Sequence, residues 1–278
     1  MRLAVISDIH SNLAALQAVI EDLESVRPDV VVVAGDFINR GPQPREVTAL
    51  LRECGWPRLR GNHEDYVIAQ CREFEPGDLL ANPIWQPARW TAEQMDKRSE
   101  ELESLPLTMQ LQAPDGSDVL IAHGTPQVNS DGVFGKTTDD ELRQMLGDEP
   151  PSLFVCAHTH ASLLRRVDET LIVNVGAVGL PFNGDSRAQY GLFTWKAESW
   201  HVELRALDYD REQTYRAFEN GGFLDGGGPL ARVILKEVET ARPHLGPWVH
   251  RFGDDVRAGN LSVAQATERY LAGLASSE

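Results

Sequence analysis

The spacing of apolar residues divides the chain into helix-and-strand units, then a β-rich half, then a helical tail. "RLAVIS" (2–7) is a short apolar run that suits a buried parallel strand. In 11–26, Leu13, Leu16, Val19, Ile20 and Leu23 fall on one helical face, with Ser11 or Asn12 to cap the start and Pro28 to end it. "DVVVVAG" (29–35) predicts the next strand, "PREVTALLREC" (44–54) a second helix, and "WPRLRG" (56–61) a third short strand. Such alternation is the pattern of an α/β layered domain. From 64 to about 105 the pattern is helical and irregular, with Trp85, Trp90, Met95, Leu102 and Leu105 separated by polar residues. Residues 107–124 alternate, turn at Pro114-Asp115-Gly116 and alternate again, as a β-hairpin does. "SLFVCAHTH", "ASLLRRV", "LIVNVG", "YGLFTW" and "WHVELRAL" predict further strands through about 207, with antiparallel connections. The fold class expected is α/β: two packed mixed β-sheets flanked by helices.

After Asp208 the composition shifts. "NGGFLDGGGP" (220–229) reads as a glycine-rich loop or hinge, and three helical patterns follow. The last, "SVAQATERYLAGL", opens with a Ser262–Gln265 capping box. This divides the chain into a main domain, 1–208, and a helical C-terminal extension, 209–278. The extension is expected to pack near the cleft or to form a self-association surface for a homo-oligomer.

Length and composition narrow the classes. The chain's 278 residues suffice for one large domain with an appendage, and 42% hydrophobic against 24% charged residues fits a globular protein. A net charge of -16 disfavours long nucleic acid as a partner, although local cations can reverse the sign inside a cleft. Three scattered cysteines suggest neither a disulfide framework nor a zinc knuckle and fit a reducing compartment. The N-terminal run reaches Asp8 too soon for a signal peptide, and no stretch is long enough for a membrane span, so a cytoplasmic location is expected.

Candidate chemistry gathers at strand ends. Asp8 and His10 close "SDIH", Asp36 opens "GDFINRG", Asn62 and His63 lie in "RGNHED", His123 in "LIAHG", and His158 and His160 in "VCAHTHA". In extended chain, residues i and i+2 face the same way, so Asp8 with His10, and His158 with His160, would each form a claw. Taken singly, such an Asp is usually a helix cap and such a His a satisfied core residue. Together, five of the eight histidines stand at apolar strand ends. Burying that many polar groups without partners would cost on the order of 1–3 kcal/mol each, and a pair of cations removes the cost.

The ordered set D-x-H, G-D-x-x-x-R-G, G-N-H-E, H-G and H-T-H resembles the calcineurin-like metallophosphoesterase superfamily, from residue 3 to about 207. "NVGAVGLPFNGDSRAQYGLF" (174–193) resembles the sheet-return segment of its small bacterial, phosphodiesterase-like branch, while Ala157 replaces the usual glycine before H-T-H. The resemblance implies a four-layer sandwich and a dinuclear metal-dependent phosphoesterase. It places one metal on Asp8, His10, Asp36 and His160, and the other on Asp36, Asn62, His123 and His158, with Asp36 bridging. A hydroxide bridging the two ions would attack phosphorus in line. His63 would meet the leaving-group oxygen, and Arg40, with its planar fork of donors, would be a second phosphate contact. Nitrogen and oxygen ligands without thiolate suit two divalent or trivalent ions among Mn, Fe, Zn and Ni.

Asn39 departs from part of that resemblance. In the superfamily's phosphoprotein phosphatases an acid stands in its place and orients the histidine of "GNHE". An amide can orient His63 but cannot stabilise its cation. The substrate expected is therefore a small phosphorylated molecule: a phosphodiester, a nucleotide or a dinucleoside polyphosphate. The alternatives are a phosphoprotein phosphatase and a non-catalytic protein-binding scaffold. Substrate recognition is expected in 64–105 and the C-terminal helices, where Trp85 and Trp90 either stack on a nucleobase or belong to the core.

Overall fold

The computed structural model describes residues 1–75 and 78–276. Two sheets lie face to face. The first has the order β2-β1-β8-β9, built from Val30–Val33, Arg2–Ile6, Ala188–Lys196 and Ser199–Leu207. The second has the order β3-β4-β5-β7-β6, from Thr108–Gln112, Asp118–Ala122, Leu153–Cys156, Thr170–Asn174 and Leu163–Val167. Both are mixed. β1 runs parallel to β2 and antiparallel to β8. β4, β5 and β7 are mutually parallel, so the expected antiparallel character of this half holds only for the β3–β4, β6–β7 and β8–β9 pairs.

Side-chain alternation explains the layering. Leu3 and Val5 of β1 join Val119, Ile121, Leu153, Val155 and Phe193 between the sheets. Ala4 and Ile6 face the other way, against Leu16, Val19 and Leu23 of α1 (Leu13–Val26) and Val47 and Leu51 of α2 (Pro44–Cys54). On the far side, Phe154, Cys156 and Ile172 pack on Leu142 of α6 (Asp139–Leu146). Each fully buried side chain of this size contributes roughly 1.5–3 kcal/mol. The run 56–61 is not a strand of its own. Val33 bridges Arg58 in parallel at a single point, because the chain must turn at once into α3 (Asn62–Gln70).

The irregular stretch after α3 contains two short 3-10 turns, Leu79–Ala81 and Pro83–Trp85, then α4 (Gln86–Gln94) and α5 (Glu100–Glu103); residues 76–77 of that expectation lie outside the described residues. The tail forms α7 (Arg211–Asn220), a single turn α8 (Phe223–Gly226), α9 (Leu230–Thr240), α10 (Leu245–Arg257) and α11 (Val263–Ala275), the last with the expected Ser262–Gln265 box. α9, α10 and α11 share their own cluster around Trp248, Phe252 and Tyr270. A second cluster joins Phe218, Phe223 and Ile234 of the tail to Trp90 and Leu180. Among the described residues, no helix is long and apolar enough to cross a membrane.

Candidate metal centre

The turns that follow β1, β2, β4 and β5, with the start of α3, deliver the motif residues to one place. Asp8, His10, Asp36, Asn62, His63, His123 and His160 are all buried there, and His158 is partly so. The expected geometry of the claws is corrected in one respect. Asp8, His10, Asp36, Asn39, Arg40, His158 and His160 have φ between 47° and 66°, so these residues do not continue the strands. Their side chains converge because the backbone coils into left-handed turns. That conformation is costly for L-residues and persists only where the surroundings enforce it.

Two glycines permit the close approach. Gly35 has φ +92°, and a Cβ there would lie 2.7 Å from the Gly61 amide nitrogen and 2.9 Å from His123 Nδ1. A Cβ on Gly61 would overlap the Asp36 carboxylate. Glu64 ties the same loops together from beneath. It is fully buried, and its two oxygens accept from the amides of Asp36 (2.8 Å), Gly61 (2.8 Å), Phe37 (3.0 Å) and Ile38 (3.3 Å). Burial and the Asp36 charge push its carboxyl up to about 8, against these four donors, which favour the ionised form.

The ring tautomers follow from fixed acceptors. The Nδ1–H groups of His10 and His123 donate to the carbonyls of Asn39 (3.3 Å) and Ala34 (2.8 Å), and that of His160 to Leu180. Their Nε2 atoms therefore point inward. His10 Nε2 lies 3.1 Å from His160 Nε2, which lies 3.3 Å from Asp8 Oδ1. His123 Nε2 lies 3.2 Å from Asp36 Oδ2 and 3.1 Å from Asn62 Oδ1, which also faces His158 Nδ1 at 2.8 Å. Asp8 Oδ1 and Asp36 Oδ2 are buried with no hydrogen-bond partner among the described residues. Ring nitrogen lone pairs facing carboxylate oxygens repel unless a positive charge lies between them. A proton can serve at His123, which burial disfavours but the Asp36 carboxylate lifts to about 10. It cannot serve at His10, which burial and the neighbouring His160 hold well below the ordinary histidine value. A metal cation satisfies both places.

The donors fall into two sets that share one residue. Asp8, His10, Asp36 and His160 could hold one ion, and Asp36, His123 and His158 another, with the ligand atoms of each set within 4.8 Å of one another. Asn62 Oδ1 adds an oxygen to the second.

His63 stands beside these sets, its ring edge against that of His10 (centroids 4.8 Å, 88°). Its Nδ1 is 2.8 Å from Asn39 Nδ2. The Asn39 amide cannot be turned over, because its oxygen accepts the Arg40 amide at 2.8 Å. Asn39 thus donates to Nδ1, and the neutral ring carries its proton on Nε2. Burial holds His63 well below the ordinary histidine value, so this neutral form prevails. Arg40 borders the same cavity, with Nε buried and unpaired and Nη1 4.0 Å from Glu237 Oε2.

Three contributors were not anticipated. Glu64 lies inside "GNHE", so its motif was the available signal. Phe182 stacks on His160 (centroids 4.3 Å, 14°) and lies in the 174–193 segment, but nothing local marks it. Glu237 comes from α9 and is buried; its Oε1 accepts from the amides of His244 (2.8 Å) and Leu245 (2.7 Å), and its Oε2 faces Arg40 with no hydrogen-bond partner among the described residues. An acid between Ile234 and Val238 on an apolar helical face was its sequence signal. The two tryptophans divide: Trp90 is core, packed on Phe223, while Trp85 lines a cavity beside the centre.

The family model for the calcineurin-like phosphoesterase superfamily domain matches residues 1–198. The chain is 27% identical over 231 residues to an uncharacterized protein of Methanocaldococcus jannaschii, covering 77% of this chain and 90% of that one. It is 30% identical over 172 residues to the symmetrical bis(5'-nucleosyl)-tetraphosphatase of Paracidovorax citrulli, covering 58% of each. The crystal structure of a metallophosphoesterase from Sphaerobacter thermophilus matches with a TM-score of 0.69 and 27% identity, over 87% of this chain and 99% of that one.

Proposed function

The chain belongs to the calcineurin-like phosphoesterase superfamily and is a metal-dependent phosphoric ester hydrolase; we propose that it cleaves a small phosphate ester at the centre described above. The superfamily uses a dinuclear divalent metal site. In this reading Asp8, His10, Asp36 and His160 hold one ion, and Asp36, Asn62, His123 and His158 the other, with Asp36 shared. When bound, the ions supply Lewis-acid charge to the phosphoryl oxygens and acidify water into the nucleophile. The observation that carries the reading is the pair of buried, partnerless oxygens, Asp8 Oδ1 and Asp36 Oδ2, each facing inward-pointing imidazoles.

The remaining roles belong to the protein itself. Arg40 presents guanidinium donors to the non-bridging oxygens as charge spreads over them. His63 donates its Nε2–H to the leaving oxygen, and Asn39 fixes the tautomer that places the proton there. Glu64 holds the loops of Asp36 and Asn62 at their spacing. The C-terminal residues Glu237, Pro243 and Gly246 narrow the approach, which favours a small ester over a folded phosphoprotein.

The test is a hydrolysis screen of metal-reconstituted protein over phosphomonoesters, phosphodiesters, dinucleoside polyphosphates and phosphopeptides. The Paracidovorax relative makes the dinucleoside polyphosphates a necessary arm. Chelator-sensitive turnover of small esters, restored by added metal, is expected. Protein that holds two ions per chain and turns over only phosphopeptides, or nothing, would overturn the reading.

A further inference from the structure

Next to the metal centre lies a second cavity of about 320 Å³. The two share Arg40, His63, Tyr66 and Gly246 in their walls, so they adjoin at these residues. Along this wall the rings run outward from the centre. His63 meets Tyr66 edge-on (centroids 5.1 Å), and Tyr66 meets Trp85 in the same way (5.1 Å). At the centre's end the lining is polar, with Asn39, Arg40 and His63. Further out it is apolar: Ile84 and Trp85 from the stretch before α4, and Leu230, Ile234, Leu245 and Val249 from α9 and α10.

We propose that this cavity binds the organic group of the phosphate ester, and that this group is an apolar alcohol, a single aryl system or a compact aliphatic chain, rather than a nucleoside. The proposal rests on the hydrolase reading and narrows its substrate. An ester whose phosphorus sits at the centre would have its leaving oxygen at His63, and His63 borders both cavities, so the apolar cavity is within reach of its alcohol.

Polarity disfavours the nucleoside, and size disfavours two of them. A nucleobase carries several donors and acceptors on its edges, and burying any of them without a partner weakens binding. The aliphatic side chains of the outer wall offer no such partner, and Trp85 offers mainly a ring face. The volume lies at the lower end of ligand pockets, ~300–1,000 Å³, and suits one small group, not the two nucleosides of a dinucleoside polyphosphate. Five of the thirteen lining residues come from the C-terminal helices, so the tail takes part in selecting the substrate. Arg40 faces the phosphate from one side, while Leu245 begins the helix whose amides are held by Glu237. Charge recognition and apolar recognition thereby meet at one helix start.

The test uses the full-length, metal-loaded protein and three esters that all leave as primary alcohols: 2-naphthylethyl, adenosine 5'- and ethyl phosphate, each as monoester and as methyl diester. The kcat/KM for the naphthylethyl ester is expected to exceed both others at least tenfold, since even one methylene in an apolar pocket is worth about 10-fold or more. Trp85→Ala and Val249→Asp should each reduce the naphthylethyl-to-ethyl ratio at least fivefold; Val249 is 37% exposed, so a charge there is tolerated by the fold. A second measurement does not need turnover. By calorimetric titration, 2-naphthylmethylphosphonate should bind at least tenfold more tightly than methylphosphonate, and Val249→Asp should remove the difference. Equal binding of the two phosphonates, or an adenosine ester preferred over the naphthylethyl ester, would overturn the proposal. If none of the esters turns over, that failure is separate from the cavity, and the phosphonate titration decides the proposal by itself.

Discussion

Asn39 and His63 show how one amide can set the tautomer of an imidazole. The Arg40 amide fixes the Asn39 oxygen, so the nitrogen donates to His63 Nδ1 and the imidazole proton stays on Nε2 without any positive charge. On the proposed reading, His63 assists the leaving group as a neutral donor. An aspartate at position 39 could only accept. The neutral ring would then carry its proton on Nδ1, and Nε2 would become a donor only in the cation. Asn39→Asp is therefore expected to give the rate on esters with poor leaving groups an alkaline limb that the wild type lacks. The same carboxylate favours the imidazolium, so the limb should sit above the ordinary histidine value of ~6.5. Esters of nitrophenol, which need no proton, should show no such limb. The comparison is a pH–rate profile at equal metal content. Identical profiles for the two classes of ester would remove His63 from proton donation.

Among the elements, α1 carries both site and scaffold. Asn12 caps it, accepting from the Ala15 amide at 3.2 Å and from Thr214 of α7 at 2.9 Å, which joins the first turn to the C-terminal tail. Further along, Asp22 accepts from Tyr190 of β8 (2.5 Å) and from Arg205 of β9 (2.7 and 2.8 Å). Despite the cost of partial burial, these donors hold its carboxyl below the usual carboxylate range. A carboxylate whose folded pKa is depressed stabilises above its unfolded value and loses that contribution as pH falls through the folded one. Asp22→Asn should cost about 1 kcal/mol near pH 7, a figure discounted for solvent screening, and less at an acidic pH below the ordinary carboxylate value of ~3.9. Urea unfolding at the two pH values measures the difference, and an equal cost at both would show that charge is not involved. The boundaries of α1, α2 and the hairpin were legible because their apolar spacing and caps are local. The parallel order of β4, β5 and β7 was not, since which strands become neighbours depends on crossovers that strand sequences do not encode. The single bridge at Arg58 was over-read for a related reason: a β-like run cannot extend where Gly61 and Glu64 must reach the site.

For the molecule as a whole, the fold class and the gathering of the candidate residues at strand ends were both legible. The motif residues are polar groups placed against apolar strands, and that contrast survives in one sequence. Their left-handed backbone does not, because Asp and His, although enriched at positive φ among non-glycine residues, adopt it only in a minority of positions. Glu237 and the apolar cavity were hidden because they depend on how the tail returns to the centre. We propose that 1–208 and 209–278 be treated as catalytic domain and extension. Trp90 and Leu180 packed against Phe218 and Phe223 tie the two together, so the extension shapes the cleft rather than hanging beside it. The central claim is that this cleft is built around two cations held through one shared carboxylate. Metal content per chain, measured after loading and desalting, tests it directly in the wild type and in Asp36→Asn. The account expects two ions in the wild type and a loss at both sites in the variant, because the shared ligand keeps its shape but loses its charge. A wild type that retains one ion or none, or a variant that gives up only one, would contradict it.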